Sequence, residues 1–146
     1  DVSVMVVDVD RFKSINDRFG HHQGDAALQL VARRLTTDGV LVARVGGEEF
    51  AVVTKSAENQ ALALAEKYRC AAHSAEDPAP LTVSIGVAHC TYPISEDIDF
   101  DIVELTTLLL RRADAAMYEA KQQGGNQVVV AGSTPRRDRS PSGTET

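Results

Sequence analysis

The chain has 146 residues, of which 43% are apolar and 25% are charged, and these values fit one globular domain with a sizeable core. Its net charge of -6 at pH 7 argues against a protein that binds nucleic acid through a basic face. No apolar run approaches the roughly 18 residues that span a membrane, and the opening DVSVMVVDVD lacks the basic start of a signal peptide. We therefore expect a cytoplasmic domain, either free or part of a larger and even membrane-anchored protein, with Cys70 and Cys90 as ordinary buried thiols.

A strand and a helix open the predicted domain. Residues 2–9 form a short, valine-rich apolar run, which predicts a buried strand. Residues 25–35 have helical spacing, with Asp25 in the first turn, where a carboxylate is favourable. The apolar side of this helix consists of Leu28, Val31 and Leu35.

A hairpin follows. Residues 40–45 and 49–54 are each predicted to be a strand. Gly46 and Gly47 between them suit a two-residue turn, in which positive φ is needed.

Two helices and two strands complete the pattern. Residues 58–72 predict an alanine-rich helix, and residues 81–89 alternate like a strand that contains one glycine. Residues 104–123 predict the longest helix, which two glycines end, and residues 126–130 predict a last strand. The apolar side of the long helix consists of Leu105, Leu108, Leu109, Ala113, Ala116, Met117 and Ala120.

The order of these elements predicts an α/β (α+β) sandwich, in which helices flank a mixed central sheet. We expect residues 1–131 to form this domain and the acidic segment 93–101 to be a surface loop. Residues 132–146 contain no hydrophobic side chain, so they are expected to form a disordered tail.

Carboxylates at two points of the chain indicate a metal site, although Asp8 is also an ordinary turn residue and Glu48 an ordinary strand end. If the hairpin lies beside the first strand, Asp8 and Glu48 converge. Two carboxylates about 4 Å apart repel by roughly 4 kcal/mol at an effective dielectric near 20, and a cation between them relieves this repulsion. Oxygen ligands favour Mg²⁺, or Mn²⁺ in its place, and Mg²⁺ often binds substrate phosphates. The adjacent His21 and His22 do not indicate zinc, because neighbouring histidines seldom chelate one ion.

The segment DRFKSINDRFGHHQGD after the first strand supports a site that handles phosphate. Backbone N–H groups at Arg11, Phe12 and Lys13 can cradle phosphate, although Lys13 alone is equally a solvated surface residue. Asn16 and Asp25 offer an amide and a carboxylate. Such a pair either hydrogen-bonds the edge of guanine or simply caps helices and forms turns.

Four blocks occur in order over most of residues 1–130: DVDRFKSINDRFGHHQGD, RVGGEEF, LTVSIGVA and RRADAAMYEAKQQGGN. Together they resemble the successive signatures of the GGDEF family of diguanylate cyclases, with GGEEF as a variant of the namesake motif. The resemblance implies a palm-like fold shared with nucleotide cyclases and polymerases. It also implies a Mg²⁺-dependent nucleotidyltransferase that condenses two GTP into cyclic di-GMP, with one GTP held by each chain of a head-to-head homodimer.

The resemblance also implies roles for individual residues. The implied catalytic residues are Glu48 and Lys13. The implied metal ligands are Asp8, the Val9 carbonyl oxygen and Glu48, with Glu49 as either a helper for a second metal or a structural acid. The implied substrate contacts are Phe12, Asn16, His21, Asp25 and Lys121.

Three features depart from the family pattern. Gly125 stands where the family usually has a phosphate-binding arginine, which predicts GTP binding about tenfold to a hundredfold weaker, and a lower GTP KM for Gly125→Arg. The segment LTTDGVLVA lacks the family's product-binding RxxD motif, so no product inhibition is expected there. The chain begins at the first strand, without the family's N-terminal helix, so a sensory or regulatory domain is expected ahead of it. A second hypothesis is therefore a non-catalytic GGDEF-like module that binds GTP and regulates an attached domain.

Overall fold

A computed structural model describes residues 1–73, 81–91 and 102–132. The elements in these ranges are, in chain order, β1 (Val2–Val9), α1 (Phe12–Phe19), α2 (His21–Leu35), β2 (Val40–Arg44), β3 (Glu49–Thr54), α3 (Glu58–Ala72), β4 (Val83–Cys90), α4 (Ile102–Gln122) and β5 (Val128–Val130). The predicted acidic loop 93–101 and residues 133–146 of the predicted tail lie outside the described residues. None of the helices within the described ranges is long and apolar enough to cross a membrane.

The strands form one mixed sheet in the order β2-β3-β1-β4-β5. β1 lies in the middle and pairs antiparallel with both β3 and β4, whereas β5 is parallel to β4. This central position explains the valine-rich sequence of β1, because a strand with neighbours on both edges and helices on both faces has almost no exposed side chain. The mixed α/β architecture expected from the sequence is confirmed.

The two faces of the sheet carry different helices. On one face, Met5, Val7 and Val9 belong to the core that includes the buried residues of α2 and α3. On the other face, Val4 and Val6 pack against α4. Because side chains alternate along a strand, the next residue on the α4 face of β1 is Asp8. The Asp8 carboxylate therefore lies at the end of the sheet, on the face that α4 covers.

The segment after β1 is a helix that the sequence prediction missed. α1 spans Phe12–Phe19 and buries Ile15. Gly20, with φ 86°, then separates α1 from α2. α2 consequently begins at His21, so Asp25 lies in its second turn, and its predicted place in the first turn is wrong.

The prediction of a two-residue turn in the hairpin is also wrong. β2 ends at Arg44 and β3 begins at Glu49, so the connection is residues 45–48. Neither Gly46 nor Gly47 has positive φ. The reason is that the Arg44 guanidinium donates to the carbonyl of Gly46 (3.2 Å) and to that of Gly47 (2.6 Å), which stabilises a longer loop.

Two smaller expectations are wrong. Cys70 is exposed and Cys90 is half-buried, rather than both being buried thiols. Leu108 is 45% exposed, because α4 turns the side of Leu109 and Ala113 toward the sheet.

Candidate active site

The carboxyl end of β1 meets the hairpin at the end of α4. Asp8 lies opposite Glu49 in the β1–β3 register, and the Val9 N–H donates to the Glu48 carbonyl over 3.2 Å. These backbone contacts place the Glu48 side chain near Asp8. The Lys121 ammonium contacts Asp8 Oδ1, and its Nζ lies 4.0 Å from Glu48 Oε1. The structure therefore brings together three predicted site residues from distant parts of the chain.

Asp8 occupies an environment that disfavours its charge. Asp8 is only 3% exposed, and this burial raises the pKa of its carboxyl from 3.8 to about 6. Lys121 lowers the pKa through a hydrogen bond and its charge, whereas the charges of Glu48 and Glu49 raise it. The charges of Asp8, Glu48 and Glu49 exceed that of the one ammonium, so a further cation is electrostatically favoured near Asp8.

The carboxylate pair fits a cation that takes only part of its ligands from protein. Asp8 Oδ1 is buried, and its partner within the described part of the chain is the Lys121 ammonium. No group of three or more His, Cys, Asp or Glu side chains in the described ranges is arranged to hold a metal by itself. Mg²⁺ commonly uses one or two carboxylates and completes its octahedron with water and phosphate. Asp8 and Glu48 therefore fit Mg²⁺.

Asp10, two residues further on, has a structural role that sequence reasoning missed. Its Oδ1 accepts from Ser84 Oγ (2.6 Å), and its Oδ2 accepts from Thr82 Oγ1 (2.8 Å) and from the Asn126 N–H (2.8 Å). These bonds connect the end of β1 to β4 and to the loop after α4. The signal for this role was the pair of hydroxyl residues, Thr82 just before β4 and Ser84 within it.

Gly125, in the loop after α4, is an unfavourable position for the arginine of the family pattern. Its φ is +74°, which L side chains rarely adopt, and a Cβ there would lie 3.1 Å from the Asp10 carboxyl atoms. An arginine at this position therefore strains the loop, so Gly125→Arg is expected to lower the stability of the domain whatever it does to the affinity for GTP.

Gly125→Ala is expected to lower the free energy of unfolding by about 1–2 kcal/mol, because a Cβ is unfavourable at positive φ and crowds Asp10. Denaturant unfolding measures this change. The matched control is Gly39→Ala, since Gly39 has φ +80° but no atom within 4 Å of an added Cβ. It should lose less stability than Gly125→Ala, and equal losses would show that contact with Asp10 contributes nothing.

Asn16 lies on α1 and Asp25 lies on α2, and these two helices pack against each other. Asn16 Oδ1 is buried and, among the described residues, has no hydrogen-bond partner. It faces α2 at Gly24, where a Cβ would lie 1.8 Å from this oxygen, so the glycine makes room for the amide. Asp25 follows Gly24 and lines a cavity of about 510 Å³ together with Arg44 and Phe50.

The remaining predicted residues lie on the same two helices. Phe12 begins α1 and packs against the core, which leaves it half-buried. Lys13 is exposed on α1, and His21 and His22 are exposed at the start of α2. Their contacts with a substrate stay predictions.

The comparisons with known proteins agree with this architecture. The family model described as "Diguanylate cyclase, GGDEF domain" matches residues 1–127. Diguanylate cyclase DgcM of Escherichia coli is 42% identical over 137 residues, which cover 90% of this chain and 31% of DgcM. Response regulator PleD of Caulobacter vibrioides is 38% identical over 134 residues, covering 88% of this chain and 29% of PleD. The chain thus spans less than a third of the length of these two curated relatives.

Solved structures show the same fold. The active GGEEF domain of a diguanylate cyclase from Vibrio cholerae superposes with a TM-score of 0.74 at 32% identity, covering 91% of this chain and 84% of that one. The GGDEF domain of DgcB from Caulobacter crescentus, in complex with c-di-GMP, gives a TM-score of 0.73 at 31% identity, covering 90% and 78%. The palm-like cyclase fold expected from the sequence is confirmed. The chain belongs to the diguanylate cyclase GGDEF domain family.

Proposed function

We propose that this chain is a diguanylate cyclase domain that condenses two GTP into cyclic di-GMP and releases two pyrophosphates. It works as a head-to-head homodimer with Mg²⁺, or Mn²⁺ in its place. The observation that carries this proposal is the convergence of Asp8 and Glu48 around the Lys121 ammonium, at the end of a sheet with the fold of this family. The intact amide and carboxylate of Asn16 and Asp25 support guanine as the base.

Each half of the reaction forms one phosphodiester bond. The 3′-hydroxyl oxygen of one GTP bonds to the α-phosphorus of the other, and the bond from that phosphorus to the oxygen bridging to the β-phosphate breaks. The electron pair of the broken bond leaves with pyrophosphate, and the hydroxyl proton passes to the Glu48 carboxylate. Two such steps close the ring, which is why two chains must face each other with one GTP each.

The chain's own groups hold and orient the phosphates. Asp8, the Val9 carbonyl and Glu48 are the residues that would hold Mg²⁺. When bound, this ion supplies positive charge at the α-phosphate and makes the attacking hydroxyl more acidic. Lys121 moves its charge from the carboxylates to the phosphates, and Lys13 stabilises negative charge in the transition state.

The remaining groups select and position the nucleotide. Asp25 accepts from the N1–H and amino group of guanine, and Asn16 bonds the same base through its amide. His21 and the Phe12 backbone contact the substrate beside them. Glu49, on the same face as Asp8, either helps a second metal or stays a structural acid.

The chain spans less than a third of the length of its curated relatives DgcM and PleD. We infer a sensory or regulatory domain fused ahead of it, and a cytoplasmic location, where GTP is available.

The test is incubation of the purified chain with GTP and Mg²⁺, followed by chromatography and mass spectrometry of the products. Cyclic di-GMP and pyrophosphate should form in a 1:2 ratio, and the rate per chain should rise with chain concentration because the dimer is the active species. Bound GTP without product at every concentration would favour the non-catalytic GTP-binding module. Absence of GTP binding would contradict both.

A further inference from the structure

Arg11 has an unusual backbone conformation for an arginine. It precedes α1 with φ 52° and ψ 36°, in the left-handed region, where glycine and asparagine are favoured over long side chains. Its side chain makes no capping hydrogen bond, and its contribution to the helix is a backbone carbonyl that accepts from the Ile15 N–H (3.2 Å). Any residue provides that carbonyl, so the local structure gives no reason for an arginine. Strain of this kind commonly marks a side chain with a functional role.

Arg11 borders a cavity that adjoins the carboxylate pair. The cavity has a volume of about 300 Å³, and its lining is Asp10, Arg11, Lys121, Gly124 and Gly125. Lys121 also contacts Asp8, so this one ammonium connects the cavity to the proposed catalytic centre. The two glycines have no side chains that would fill the space.

Within the described part of the chain, one of the two cationic residues that line this cavity is free to pair with an anion. Asp10 is the acid in its lining, and its two oxygens already accept from two hydroxyls and one N–H. Arg11 is exposed, and the described residues provide it with no hydrogen bond or ion pair. Two cationic residues therefore line the cavity: Lys121, which is ion-paired with Asp8, and Arg11, which is not paired with any described residue. A guanidinium has a planar fork of donors that matches a phosphate group.

We propose that Arg11 binds the terminal phosphates of the nucleotide and so sets the affinity for the triphosphate over the monophosphate. This inference rests on the proposed function, because it takes the α-phosphate to lie at Asp8 and Glu48. The outer phosphates then extend past Lys121 into the cavity that Arg11 borders. Arg11 provides there a charged side chain, whereas Gly125, which also lines the cavity, provides none.

The experiment compares the original chain with Arg11→Gly. Glycine suits the left-handed backbone, so the melting temperature should stay the same or rise by a few degrees. Binding is measured by calorimetry with Mg²⁺ and four probes: α,β-methylene GTP, which cannot release pyrophosphate, then GDP, GMP and inorganic pyrophosphate. Arg11→Gly should weaken α,β-methylene GTP and pyrophosphate by about tenfold and GDP by less, with GMP unchanged.

The matched control is Arg18→Ala. Arg18 is an exposed arginine of α1 that borders the neighbouring cavity of about 340 Å³ but not the one beside Lys121. Its removal should change all four affinities by less than about twofold, because a distant exposed charge is screened.

The outcomes separate this inference from the proposed function. Unchanged binding of α,β-methylene GTP by Arg11→Gly would overturn the inference, and so would an equal loss for GMP, because the contact would then not be to the outer phosphates. If pyrophosphate binds in an Arg11-dependent way while no guanine nucleotide binds, the anion site stands and the proposed function fails.

Discussion

Asp8→Asn is expected to abolish cyclase activity and, at the same time, to stabilise the metal-free domain. Activity should fall on the order of a thousandfold, because the neutral amide of asparagine replaces the charged carboxylate that would hold the metal together with Glu48. Stability should rise because asparagine, like the protonated form of Asp8, is neutral. Burying a neutral side chain avoids the free-energy cost of removing a charged carboxylate from water. Active sites commonly contain residues that catalysis requires but that lower the stability of the folded protein.

The sign of the stability change follows from the pKa of Asp8. Burial raises this pKa from 3.8 to about 6, so the folded domain binds the proton more tightly than the unfolded chain does. The resulting stabilisation is complete below pH 3.8 and is lost as the pH rises through about 6. At pH 7 the ionised carboxylate costs about 2–3 kcal/mol relative to a neutral side chain. Asp8→Asn should therefore exceed the original chain in stability by about 2 kcal/mol at pH 7, and should match it below pH 3.8.

Denaturant unfolding with EDTA, at pH 7 and below pH 3.8, measures both parts of this prediction. Asp38→Asn is the matched control, because Asp38 is an exposed aspartate in the loop before β2. It should change neither stability nor activity. An Asp8→Asn domain that is less stable than the original at pH 7 would show that the ion pair with Lys121 outweighs the cost of burial.

Gly86→Ala is expected to have the largest effect on the fold. Gly86 lies in the middle of β4, directly under α4. An added Cβ would lie 1.9 Å from the Ala113 carbonyl oxygen and 2.3 Å from the Met117 nitrogen. Both are backbone atoms of α4, so no side-chain rotation relieves the clash. The helix must move away from the sheet and give up its packing on Val4 and Val6.

The expected loss in the free energy of unfolding is about 3 kcal/mol or more, at the upper end for overpacked cores. That is a large part of the roughly 5–15 kcal/mol that stabilises a typical domain. Denaturant unfolding checks this value. Gly47→Ala is the control, since an added Cβ there meets no atom within 4 Å, and it should stay within about 0.5 kcal/mol. A Gly86→Ala domain as stable as this control would contradict the described contact between β4 and α4.

Periodicity predicted the elements that bury a whole face. The valine run of β1 and the apolar stripe of α4 were clear, because each contributes one side to a core. α1 was missed because its segment was interpreted through its polar residues, although Phe12, Ile15 and Phe19 have helical spacing. A helix of eight residues is unstable alone, and tertiary packing at Ile15 decides its formation.

The hairpin and the Gly86 contact show what one sequence leaves open. Two adjacent glycines favour a two-residue turn, but hydrogen bonds from Arg44 to the loop carbonyls stabilise a longer connection. The glycine inside β4 is visible in the sequence. The reason that glycine is required there is the close contact with α4, more than twenty residues later in the chain. Such long-range contacts leave no local pattern.

The candidate site divides in the same way. The meeting of Asp8 and Glu48 was predicted from two strand ends, since neighbouring strands bring their ends together. The ion pair of Lys121 with both acids was not predicted, because the resemblance assigned this lysine to phosphate. The bonds of Asp10 to β4 and to the loop after α4 likewise depend on segments more than 70 residues away.

The most direct test of the central claim is the amount of cyclic di-GMP that Glu48→Gln forms from GTP and Mg²⁺, compared with the original chain. Glu58→Gln is the control, because Glu58 is exposed in the first turn of α3. The carboxylate site predicts product from the original chain and from Glu58→Gln, and a loss on the order of a thousandfold in Glu48→Gln. Product formation by Glu48→Gln at the rate of the original chain would contradict it.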